Sequence, residues 1–305
     1  MADRKQQNSL PVFDCHTHLF PPAVFANTAR LEGLAAALRL QVDQARMRTD
    51  KGMLKRESRD AGVHACLLLP TAPASHVRKI NDMFLRTVEA EDSLFTAGTL
   101  HPSDPGVDEE LELLAGHGVL ALKFSSFSQG FDLQSEETLQ LFERIRKHNS
   151  AGKSRFFVIL DTFYQADLYF GALKEHVTTP RKLGCLAAGF PEIDFVGSHM
   201  GGLSAPYQEI REHIVPMPNL YLDTSNAAHV LSRDEFLRLL GLHGPEHILF
   251  GTDWPWFGHK EEIPLIGGLL QAAGFSSEER SRVFAGNISR LLNLKNSKVQ
   301  KALTL

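Results

Sequence analysis

Eight short apolar runs recur along the 305-residue chain, and the stretches between them carry helix signals. In order the runs are "VFDCHTHLF" (12–20), "VHACLLLP" (63–70), "LFTAGTLHP" (94–102), "VLALKFSS" (119–126), "RFFVILDTF" (155–163), "DFVGSHMGG" (194–202), "LYLDTSNA" (220–227) and "HILFGTDWPW" (247–256). Most are nearly continuous in apolar residues, as strands are when a parallel sheet is buried on both faces. Helices are expected over 108–118, 135–149, 178–191 and 232–244. Ser135, Thr179 and Ser232 stand at their starts as caps, with Pro180 at a first helical position. Eight strands alternating with helices over this length form the pattern of a (β/α)8 barrel, a TIM barrel of the α/β class. An open doubly wound sheet is the rival, but no Gly-rich phosphate turn follows the first run.

The interval between the first two runs, about residues 21 to 60, is longer than one crossover needs. It holds "LEGLAAALRL" (31–40) and "DKGMLKRESRDAG" (50–62) and reads as a helical insertion after strand one, over the mouth of the barrel. The barrel is expected over 11–295, with a disordered tail at 1–10 and a C-terminal tail at 296–305.

Composition narrows the function. A net charge of −4 makes no general case for nucleic acid or membrane binding. No apolar run reaches the roughly 18 residues of a membrane helix. The opening "MADRKQQNSL" has no signal-peptide core, and Cys15, Cys66 and Cys185 are three scattered cysteines. Reduced thiols in a cytoplasmic protein are therefore expected. The expected partner is a small-molecule substrate, and a homodimer is left open.

The first run raises a chemical question. Residues two apart on a strand share a face, so Asp14, His16 and His18 are expected to project together. Two imidazoles on one face suit a metal ion better than a core. In a barrel the working groups lie at the C-terminal strand ends. Those ends supply His16, His18, Lys123, Asp161, His199, Asp223 and Asp253. Asp14 is read as support for the site and Asp223 as a hydrogen-bonding strand-end residue. Lys123 is read as a barrel-lining cation that pairs with Asp161 or binds an anionic substrate. Arg181 and Lys182, which open a helix, are candidates for a substrate carboxylate. Trp254, Trp256, Phe163 and Tyr164 are candidates for an apolar wall.

"DCHTH", "GSHMGG", "FGTDWPW" and the closing "VFAGNISRLL" (283–292) resemble the amidohydrolase superfamily. The likeness is to its amidohydrolase-related branch, with aminocarboxymuconate-semialdehyde decarboxylase-like enzymes and lactonases. "TTPRKLGCLAAGFPEIDFVGSHMGG" resembles that branch too, and the likeness runs from about 11 to 295. It implies one divalent metal ion, zinc first and manganese second, held by His16 and His18. Asp253 would ligate it or take a proton from its water, and His199 would polarise substrate or serve as acid/base. The family's usual metal-binding His on strand five is replaced by Asp161, itself a possible carboxylate ligand. The implied activity is hydrolysis of a C–O or C–N bond in a small lactone, ester or amide. Non-oxidative decarboxylation or hydration of a carboxylated compound is the alternative. A decayed barrel with a binding role is a third.

Overall fold

The computed structural model describes residues 11–41, 50–152 and 154–293. The tails expected at 1–10 and 296–305, and residues 42–49 of the insertion, lie outside them. Each apolar run supplies one strand: β1 (Phe13–Thr17), β2 (Ala65–Leu68), β3 (Leu94–Thr96), β4 (Ala121–Phe124), β5 (Phe157–Leu160), β6 (Phe195–Gly197), β7 (Leu220–Asp223) and β8 (Ile248–Leu249). The strands pair in parallel and in chain order, β1 to β3 in one set and β4 to β8 in the other.

Backbone bonds carry the ladder across both gaps. Gly98 N–H donates to Ala121 C=O at 2.8 Å, and Lys123 N–H to Gly98 C=O at 2.8 Å, joining β3 to β4. Cys15 N–H donates to Phe250 C=O at 2.9 Å, and His18 N–H to Trp254 C=O at 2.8 Å, joining β1 to the segment after β8. The result is a (β/α)8 barrel.

Alternation along the strands builds two apolar layers. Phe13, Cys15, Leu67, Ala121, Phe157 and Ile159 belong to the inner one, on which Ile288 and Leu291 of the last helix also pack. Cys66, Leu68, Leu122, Phe124, Val158 and Leu160 face the helices. Both faces are buried, which is why the runs read as continuous rather than alternating.

The helices begin where their caps predict. The side chains of Ser135, Thr179 and Ser232 accept backbone N–H groups at the starts of helices Glu136–Ser150, Pro180–Gly189 and Arg233–His243. Ser232 and Glu235 complete a reciprocal capping box. Asn27 and Asp50 cap the insertion helices Thr28–Leu38 and Lys51–Asp60 in the same way. Cys15 and Cys66 are buried, Cys185 is exposed, and all three are free thiols. Among the described residues no helix is long and apolar enough to cross a membrane.

β1 departs from plain alternation. Phe13 pairs with Ala65 and Asp14 with Cys66, but Thr17 pairs with Leu68. Three steps on β1 thus face two on β2, so β1 carries one extra residue. The bulge separates side chains expected on one face. Asp14 turns away to accept from His259 Nε2 at 2.9 Å and from the Thr252 backbone N–H at 3.0 Å. His16 instead turns toward the strand ends.

Candidate metal centre

The bulge brings His16 to the mouth of the barrel, where its Nε2 lies 3.1 Å from His18 Nε2. Asp253 Oδ1 stands 3.4 Å from His18 Nε2 and 3.7 Å from His16 Nε2. These three buried side chains, from the two ends that meet at the β1–β8 seam, form a possible three-donor site. Gly251 permits the approach, since a Cβ there would sit 2.8 Å from the Cβ of His16. Asp253 has a left-handed backbone (φ 66°), and its N–H donates to His16 C=O at 3.0 Å. That conformation is uncommon outside glycine and aims the carboxylate at the histidines.

Hydrogen bonds fix the ring tautomers. His16 Nδ1 faces Asp223 Oδ2 at 2.8 Å, and His18 Nδ1 faces Leu69 C=O at 3.3 Å. Both partners are acceptors only at neutral pH, so each Nδ1 carries the proton and each Nε2 keeps its lone pair. Two lone pairs aimed at each other 3.1 Å apart repel unless a cation lies between them. A proton is a poor candidate. Burial lowers His16, and burial with the nearby Lys123 charge brings His18 down to about 3. A divalent ion fits the donor set, because two bonds of about 2.1 Å to one ion span a nitrogen separation of this size.

His199 forms the opposite side. Its backbone is left-handed (φ 57°), and its N–H donates to Asp223 Oδ1 at 2.9 Å. Its Nδ1 faces Ser225 C=O at 2.9 Å, so its Nε2 is the acceptor nitrogen and stands 3.9 Å from Asp161 Oδ1. His16, His199 and Asp223 make a second geometric grouping. Asp223 is already spent, however, on His16 Nδ1 and on the backbone N–H groups of His199 and Ser225. Its buried carboxylate is held well below the ordinary range by these partners, despite the opposing effect of burial. Asp223 thus orients ligands rather than binding an ion.

The remaining sequence candidates separate clearly. Asp161 lines the same cavity as His18, His199 and Asp253 and accepts from the Phe163 backbone N–H at 3.2 Å, but it joins neither three-donor grouping. Burial would raise its pKa, yet Lys123 and the histidines hold it low, so it is a carboxylate. Lys123 is fully buried, lines the cavity and donates to Ser198 Oγ at 3.3 Å.

Two of the substrate-contact candidates lie outside the cavity lining. Trp254 is fully buried, and its indole N–H donates to Glu57 Oε2 at 2.8 Å, which ties the insertion to the β8 loop. Trp256 takes the wall position instead. Arg181 is exposed at the start of its helix and lies outside the cavity lining. Two contributors went unread. Ser225 Oγ lies within 3.1 Å of His16 Nδ1 and 2.8 Å of His199 Nδ1, and His259 anchors Asp14. Ser225 follows Asp223 by two residues, and that was its one sequence signal.

A parallel barrel with a His-x-His at the end of β1 and an aspartate after β8 defines a class of metal-centred barrel enzymes. The chain belongs to the amidohydrolase family, whose model matches residues 13–294, and is an amidohydrolase-related enzyme. No curated protein matches it in sequence. Solved structures do match in fold. A 5-carboxyvanillate decarboxylase from Sphingomonas paucimobilis is 19% identical with a TM-score of 0.65, over 93% of this chain and 99% of that one. A dihydroxybenzoic acid decarboxylase from Polaromonas sp. JS666, with bound manganese and 2-nitroresorcinol, is 16% identical with a TM-score of 0.66, over 95% and 99%. An amidohydrolase from Burkholderia multivorans with bound zinc is 14% identical with a TM-score of 0.65, over 93% and 99%.

Proposed function

We propose that the protein is a metal-dependent hydrolase of a C–O or C–N acyl bond in a lactone, ester or amide. The observation that carries this reading is the convergence of His16 Nε2, His18 Nε2 and Asp253 Oδ1 on one edge of a cavity that also exposes His199. His16, His18 and Asp253 would hold the ion, with zinc favoured by the nitrogen-rich donor set and manganese the second choice. A divalent ion there supplies polarisation of a carbonyl and a lowered pKa for water.

The side chains supply the proton handling. The Asp253 carboxylate, 3.4 Å from His18 Nε2 at the edge of the cavity, is placed to take a proton. As a water oxygen bonds to the acyl carbon, its proton goes to Asp253. As the C–O or C–N bond breaks, that proton passes to the departing oxygen or nitrogen. His199 presents an acceptor Nε2 that orients the water, and the Asp161 carboxylate stands 3.9 Å from it.

Lys123 favours a second reading. A fully buried ammonium opening on the cavity can hold a substrate carboxylate, as a decarboxylation would need. A panel of lactones, esters, amides and aromatic acids, assayed with zinc- and manganese-loaded protein, separates the two. Acid release without carbon dioxide supports hydrolysis, and carbon dioxide release replaces it with the lyase reading.

A further inference from the structure

The metal centre occupies one end of a cavity of about 820 Å³, large even against the roughly 300–1,000 Å³ of small-molecule sites. The polar groups are unevenly spread. His18, Lys123, Asp161, His199 and Asp253 gather at the strand ends, and Lys79, Thr87, Ser125 and Ser128 add polar groups from the segments after β2 and β4. The insertion supplies a different wall. Its lining residues between 19 and 40 are apolar except Arg30, whose guanidinium lies 5.3 Å over the Phe170 ring.

The helix Thr28–Leu38 builds this wall by its spacing. Leu31, Leu34 and Leu38 recur at helical intervals and point the same way. From Leu31 to Leu38 the wall runs about 10 Å along the helix axis. Leu34 and Leu38 pack with Phe163 and Leu203 from the loops after β5 and β6. The insertion helix is thereby seated on the barrel by the same apolar residues that line the cavity.

Hydroxyls or carboxylates laid against the Leu31–Leu34–Leu38 face would lose their water there without finding partners. An alkyl or aryl body would instead exchange water for leucine and phenylalanine.

We propose that the substrate is an acyl compound with an extended apolar body, which lies along the Leu31–Leu34–Leu38 face while its carbonyl reaches the His16–His18–Asp253 end. The position of the carbonyl rests on the hydrolase reading; the apolar body rests on the wall alone. The insertion therefore sets substrate length, with Leu34 as a specificity-determining residue.

The test uses metal-loaded protein and straight-chain carboxylic acids from butanoic to dodecanoic, measured by calorimetry. The head group stays constant, so the slope against chain length reads the wall. Kd should fall about threefold to fourfold per added methylene, as burial of a methylene gives, until the chain outgrows the cavity. Leu34→Trp should move that break to shorter chains while leaving metal content unchanged. A Kd independent of chain length would overturn the proposal, and so would a break that Leu34→Trp leaves in place; the wild-type series stands even if the variant misfolds. p-Nitrophenyl acetate and octanoate separate this from the hydrolase reading. Cleavage of the acetate with a flat binding series sinks the apolar body alone. A steep series with neither ester cleaved retains it and removes hydrolysis.

Discussion

His16 and Asp223 are 207 residues apart in sequence, yet His16 Nδ1 lies 2.8 Å from Asp223 Oδ2, both fully buried. That contact fixes the tautomer that leaves Nε2 available to an ion. Asp223→Asn keeps the shape but removes the charge that favours the Nδ1 proton. Metal affinity should drop about 10- to 100-fold, the usual cost of losing a ligand's supporting partner. A competition titration against a chromogenic chelator checks it, and an unchanged affinity would remove Asp223 from this role.

Metal uptake should depend on pH through Asp253. Its carboxyl is raised to about 6 by burial. Above that value the metal-free site presents a carboxylate, and below it a proton must leave before the ion can bind. Apparent affinity should therefore be steady above pH 7 and fall toward tenfold per unit below about 6. Asp253→Asn should flatten this dependence and lower kcat by about 100-fold or more.

Trp254 and Trp256 should behave as opposites. Trp254→Phe removes the hydrogen bond to half-buried Glu57 and should cost about 1 kcal/mol of stability in urea unfolding, with KM little changed. Trp256→Ala opens the cavity wall and should raise KM on the true substrate while leaving metal content intact. A reversed pattern would contradict the burial that separates the two rings.

Much of this architecture was legible in the sequence. All eight strands fall inside the apolar runs, because burial on both faces leaves little room for polar residues between Phe157 and Leu160 or between Leu220 and Leu222. Ser135, Thr179 and Ser232 were readable because a cap is a local hydrogen bond. The grouping of Asp14 with His16 was not readable, because the β1 bulge is a matter of register between strands. The setting of Trp254 was not readable for a related reason: its partner Glu57 sits in the insertion, far away in sequence.

Asp14 makes a prediction of its own. Burial pushes His259 down, but its bond to the Asp14 carboxylate, with Cys66 beside it, outweighs this and brings the imidazolium up to about 10. A histidine raised above its unfolded value stabilises the fold fully below about pH 6.5, and that contribution is lost as pH rises through about 10. His259→Gln should therefore be less stable than wild type at pH 6, with the gap closing toward pH 10 and above. Thermal unfolding across that range reads it, and a gap independent of pH would contradict a charged pair.

His16 and His18, turned together by the β1 bulge, are placed to hold a divalent ion with Asp253. Elemental analysis of protein purified without added metal, for wild type and the His16→Ala/His18→Ala variant, tests it most directly. About one zinc or manganese ion per wild-type chain is expected, and close to none in the double variant, with unchanged circular dichroism in both. Full metal occupancy in the folded double variant would contradict it.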